Sequence, residues 1–116
     1  MGDMIELGNE EQEEHERLAD LIAQMRLGKI ILVGPRVSKY TYPKLMSLNG
    51  KVAKFEMPKE ALDYLKTNLK GGETILFKGA RFLEGIIEHL LLNKNDVAKL
   101  CRREKIWQVR RKQWGL

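Results

Sequence analysis

The chain has 116 residues, 43% of them hydrophobic and 32% charged, with a formal net charge of +5, which is enough for one domain with its own core and too few for two. No apolar run approaches the roughly 18 to 20 residues that cross a bilayer, the acidic start lacks a signal-peptide core, and one cysteine, Cys101, excludes an internal disulfide framework. The charge is uneven: residues 1–20 carry eight acidic side chains against Arg17, whereas residues 94–116 carry eight basic ones against Asp96 and Glu104. The pI near 9.4 is therefore largely a property of the tail and does not make the body of the domain a nucleic-acid binder. No Cys/His cluster suggests a zinc site, and a reducing, cytoplasmic setting is the natural expectation.

In chain order, residues 1–8 (MGDMIELG) leave no room for a strand before Gly2-Asp3. They read as the loop after a truncated first strand, which would put Asp3 at the carboxyl edge of a sheet; a frayed terminus is the plain alternative. Asn9 is the expected N-cap of an acidic-headed helix. Leu18, Leu21, Ile22 and Met25 form its apolar stripe and Gly28 its end. His15, on or near that face, reads as a packed residue rather than a catalyst. Lys29 to Gly34 (KIILVG) is a continuous apolar run between glycines, the pattern of a parallel strand buried on both faces. Residues 36–50 suggest a short helix or irregular connection, since Pro43 argues against one long helix, and Asn49-Gly50 is a turn signal. Lys51 to Met57 reads as a second strand. Pro58 suits the first position of the next helix, with Ala61, Leu62, Leu65 and Leu69 as its buried stripe and Gly71-Gly72 as its terminator.

Thr74 to Phe77 reads as a third strand. It turns through Lys78-Gly79-Ala80-Arg81 into a helix with Leu83, Ile86, Ile87, Leu90 and Leu91 on one face. Such a turn combines the free N–H groups and positive end of a helix with two flanking cations, and so suits an anion. The plain alternative is that Gly79 only makes the turn and both cations are solvated, and on local sequence alone that is the favoured reading. The alternation of elements calls for an α/β domain with a parallel sheet and helices on its faces. After Leu92, Asn95 or Asp96 is expected to cap a further helix to about Arg103. Trp107 and Trp114 then lie seven residues apart among basic residues, a pattern that binds nucleic acid or an anionic membrane or packs back on the domain with its cations wet; packing is the favoured reading.

GDMIELGNEEQEEHERLADLI resembles the GDM-x-ELG segment and following helix in the C-terminal domain of the Mur ligases, in the wording of the branch that adds D-alanyl-D-alanine. ILFKGAR resembles that family's strand and KGSR turn, at the matching distance along the chain. The resemblance covers roughly residues 2–92, with residues 93–116 as a basic helical extension that has no placed counterpart; Ala80 stands where the family has serine. It implies a three-layer Rossmann-like domain with a mostly parallel sheet and helices on both faces. The implied substrate-binding residues are Asp3, Lys78, Gly79, Ala80 and Arg81. The implied partners are the N-terminal and central domains of the same enzyme, with ATP and Mg held in the full-length ligase and a UDP-linked muramoyl peptide as co-substrate. No GxxxxGK[ST] loop occurs in this chain, so the resemblance implies a domain that is inactive alone, holds no metal and has no catalytic residue of its own. Two rivals from other classes stand beside it: a stand-alone binding or scaffold module, and a nucleic-acid- or membrane-binding domain acting through the tail.

Overall fold

The computed structural model describes residues 1–48, 51–79 and 81–116; the expected Asn49-Gly50 turn and Ala80 lie outside the described residues. It is an α/β fold built on a small parallel sheet. Strand β1 (Ile30–Val33) pairs in parallel with β2 (Val52–Phe55), with Ile30 opposite Val52 and Val33 opposite Phe55. The helices are α1 (Glu11–Ala23), α2 (Tyr42–Leu48), α3 (Pro58–Asn68), α4 (Leu83–Leu90) and α5 (Lys105–Gln113). Short 3-10 turns span Gly8–Glu10 and Lys94–Lys99.

Successive residues of a strand point to opposite faces, and β1 shows the consequence. Ile30 and Leu32 enter a cluster with Ala19 and Ile22 of α1, Val37, and Leu45 of α2. Ile31 and Val33 meet Ala61, Leu62 and Leu65 of α3 with Leu83 and Ile86 of α4. A short run of apolar residues thus serves two cores at once, as KIILVG predicts. Pro58 opens α3, and Glu60 accepts the Met57 N–H at 3.3 Å, which satisfies a free donor of the first turn.

The chain departs from expectation at several places. Asn9 falls inside the 3-10 turn and caps nothing; α1 begins at Glu11 without a side-chain cap. The same helix ends at Ala23 and buries His15, Ala19 and Ile22, while Leu21 and Met25 are 50% and 54% exposed. Residues 37–41, left open between helix and loop, wind as a π-helical turn whose closing bond runs from Tyr42 N–H to Val37 O. Pro43 follows in α2, which continues this winding without a break, so the proline lies inside one helical segment over residues 35–48 and does not end it as its presence suggested. Thr74 to Phe77 is not a strand. A strand exists by virtue of its partner, and among the described residues the one backbone hydrogen bond from this stretch and its turn to the sheet is Gly2 N–H to Lys78 O at 2.8 Å. Finally, Leu91 is the cap of α4 rather than a member of its buried face, and Leu92 is fully exposed.

The tail packs. Asn93, rather than Asn95 or Asp96, caps the turn that follows it, by accepting the Asn95 N–H at 3.0 Å. Trp114 stands edge-on to Phe82 with ring centroids 4.0 Å apart, and Leu116 joins the second core cluster. Arg103 donates to Glu88 at 2.7 Å, and the buried Arg111 lies 3.7 Å from the same carboxylate. Burial pushes the Glu88 carboxyl up, but the hydrogen bond and charge of Arg103, with the charge of Arg111, outweigh it and hold the group below its usual range. The guanidinium groups of Arg102 and Arg110 each lie over the Trp107 ring, at 5.4 and 4.8 Å from its centroid. Among the described residues no helix is long and apolar enough to cross a membrane.

Candidate functional site

The carboxyl end of β1 gathers the polar groups. Gly2 bridges to Val33 in parallel, so the next residue, Asp3, leaves the sheet beside the end of β1. Its side chain is buried. Oδ1 accepts the Val37 N–H at 2.9 Å, and Oδ2 lies 3.6 Å from the guanidinium of Arg36. The carboxylate therefore sits at the start of the helical segment after β1, where free N–H groups and the helix dipole favour an anion. Gly34 makes room for it: a Cβ there would fall 2.5 Å from Asp3 Oδ1, and its φ of +131° is itself one that side chains avoid. Arg36 also donates to Glu11 at 2.5 Å. That bond, together with the charges of Glu11 and Asp3, raises the guanidinium pKa against the smaller opposing effect of desolvation.

The Lys78–Arg81 turn lies next to it. Gly79 packs against the backbone of Gly2, and a Cβ at Gly79 would meet Gly2 N and Cα and a methyl of Leu83 at 2.9 Å; close approach is what requires glycine there. Lys78 is exposed. Arg81 is partly exposed and faces Glu6 at 3.7 Å, while the cation beside Asp3 is Arg36. Helix α4 starts just beyond, through Phe82 at a φ of 76°. Its first turn carries its own acid: Glu84 is buried, 3.6 Å from Arg102, with Oε1 unpartnered among the described residues. The positive end of α4 is thus partly answered from within the chain, and any anion held at this turn depends on Lys78 and Arg81 more than on the helix.

Between the two segments is a cavity of about 460 Å³ lined by Gly2, Asp3, Met4, Leu7, Lys78 and Gly79, among others, within the usual range for a small-molecule site. A larger one of about 880 Å³ runs along β1 and is walled mainly by apolar side chains; its size does not make it the better candidate for a polar substrate. The structure therefore brings Asp3, Lys78, Gly79 and Arg81 to one edge, with Asp3 committed to structural contacts and Arg81 paired to Glu6. Ala80, fifth of the expected residues, is outside the described residues. Arg36 was missed by the sequence reading, although its place directly after Gly34-Pro35, past the end of an apolar strand, was the available signal.

His15 is fully buried and structural. Its Nδ1 lies 2.6 Å from Glu11 O, and Met4 N–H donates to its Nε2 at 3.4 Å. Nδ1 is therefore the protonated nitrogen, and the ring ties the loop after Asp3 to α1. No group of three or more His, Cys, Asp or Glu side chains among the described residues is placed to hold a metal ion. Compared with protein-family models, with curated proteins and with solved structures, the chain matches none.

Proposed function

We propose that this chain is the C-terminal, substrate-positioning domain of an ATP-dependent ligase of peptidoglycan precursors. The particular enzyme proposed is UDP-N-acetylmuramoyl-tripeptide–D-alanyl-D-alanine ligase. The observation that supports it is the meeting of the two motif segments: Gly2-Asp3 of GDM-x-ELG and Lys78-Gly79 of the KGAR turn line one cavity at the carboxyl edge of β1. Completed by further strands, the domain would be a three-layer Rossmann-like fold, and ligands bind at that edge in such folds.

In this reading the central domain supplies ATP, Mg and the acyl phosphate formed on the tripeptide carboxylate. This domain presents D-alanyl-D-alanine, whose amine attacks the acyl carbon as phosphate leaves. Lys78 and Arg81 would hold the dipeptide carboxylate as charge-assisted partners. Glu6, paired to Arg81 across solvent, would be displaced on binding or would take the dipeptide ammonium. Asp3 would fix the local backbone through Val37 and Arg36 rather than touch substrate.

The test is Arg81→Ala in the complete ligase. Loss of a charge-assisted contact made in the transition state costs about 2 kcal/mol, or about 30-fold in kcat/KM for the dipeptide. Unchanged turnover would remove Arg81 from the site. A native polypeptide of 13.5 kDa on a blot of source cells, rather than one several times larger, would overturn the domain assignment itself.

A further inference from the structure

The Lys78–Arg81 turn is held differently on its two sides. Before it, residues 74–77 form no strand, and among the described residues the backbone bond from this stretch to the sheet is Gly2 N–H to Lys78 O at 2.8 Å. After it, the chain runs directly into Phe82 and α4, and there the contacts come from residues 102–116. Trp114 stands edge-on to the Phe82 ring. Arg102 lies 3.6 Å from Glu84. Arg103 donates to Glu88 at 2.7 Å, with Arg111 3.7 Å from the same carboxylate. Glu84, Gly85 and Glu88 are three or four residues apart and share one side of a helix, so the tail runs along α4 from the residue that opens it.

Gly85 shows that the contact is built. Glycine is a poor helix former, yet position 85 is buried inside α4. A Cβ there would fall 2.6 Å from Leu116 Cδ1 and 3.1 Å from Arg111 Cδ, so the absent side chain is the notch that receives the end of the tail. Gly115 comes as near to α3: a Cβ on it would meet Lys59 Cβ at 2.9 Å. Arg111 is itself buried and donates to Arg102 O at 2.9 Å, which ties α5 to the bend that leads into it. The turn Lys94–Lys99, between α4 and this seat, buries no residue. The tail is thus anchored at its far end, beside the candidate site.

We propose that residues 102–116 are a positioning arm for the Lys78–Arg81 turn, with Trp114 as the positioning residue: packed on Phe82, it fixes the backbone from which the neighbouring Arg81 guanidinium meets its anion. A guanidinium pairs with a carboxylate through parallel N–H bonds of set geometry, and a misplacement of about 1 Å at such a contact can cost on the order of 100-fold in rate. The inference rests on the ligase reading for the identity of that anion, the dipeptide carboxylate, and on the contacts alone for the arm.

Two measurements test it, on Trp114→Ala and on Trp114→Phe, which keeps an aromatic edge for Phe82. In the 116-residue chain, hydrogen exchange is read at Gly85, whose N–H donates to Phe82 O at 3.0 Å, and at Gly34, whose N–H donates to Phe55 O at 2.9 Å. Trp114→Ala should speed Gly85 by about 10-fold more than Gly34, as the opening of one local unit does, and Trp114→Phe should restore the parent rates. No speeding at Gly85, or equal speeding at both amides, overturns the proposal. In the complete ligase, Trp114→Ala should raise KM for D-alanyl-D-alanine about 10-fold with kcat and the KM for ATP within about 2-fold. Where Arg81 is already alanine, the same change should cost less than about 2-fold, because the arm acts through that side chain. An equal cost in both backgrounds overturns the proposal. Unchanged turnover for Arg81→Ala, with Gly85 still freed by Trp114→Ala, would instead remove the ligase assignment and support the hold of the arm on the turn.

Discussion

The two edges of β1 are made of the same four residues and behave oppositely. Along one, β2 supplies a registered partner for every position from Ile30 to Val33. Along the other, the described residues form a single bridge, Gly2 to Val33, and Thr74 to Phe77, with the composition of a strand, has none of its structure. Residue type supplies the tendency to extend, but the hydrogen bonds that define a strand come from a neighbour. The closed edge is where packing energy resides; the open edge leaves comparable side chains in water.

The strongest way to break this comparison is Leu32→Ala. Leu32 is fully buried in the first cluster, and removing it leaves a cavity beneath the closed ladder. A loss of about 2 to 5 kcal/mol is expected in denaturant unfolding, and a loss below 1 kcal/mol would mean that the closed edge is not the stable one. Next comes the amino group at the boundary between the edges. Its pKa is about 6 folded against 8.0 unfolded, so the folded chain binds fewer protons between those values and stability rises as pH goes from 6 to 8. The change is worth at most about 2 to 3 kcal/mol; acetylating Met1 should flatten it, and a slope that survives acetylation would assign it to other groups. The smallest effect is expected at Leu76→Ser, on the open edge, where stability should stay within about 0.5 kcal/mol of the parent. A large loss there would show that 74–77 is already packed.

The elements legible in the sequence were those whose signals are local and whose partners are present. KIILVG, the Lys51–Met57 run and Pro58 gave β1, β2 and α3 with small errors at the ends. The π-helical turn at Val37–Thr41 was not legible, because its winding depends on how Pro43 and the Asp3 carboxylate are accommodated rather than on periodicity. The stripe Leu18, Leu21, Ile22 and Met25 was read as core, yet only Ile22 is buried. Leu18 is half-buried against the first cluster and Leu21 and Met25 are exposed, because α1 ends at Ala23 and turns a different set of residues, His15, Ala19 and Ile22, toward the core. For the candidate site, Asp3, Lys78 and Gly79 meet beside the end of β1, although the stretch before Lys78 is not the strand that its composition suggested. Which cation faces which acid was not legible, because Arg36–Asp3 and Arg81–Glu6 are side-chain pairings set by tertiary geometry.

Phe82 has a further consequence. A bulky residue with a φ of 76° is held against its own preference by about 1 to 3 kcal/mol, and the ring pressed against it belongs to Trp114. The last helix therefore packs on the residue that leads into α4, so the basic extension and the candidate site meet at one strained position.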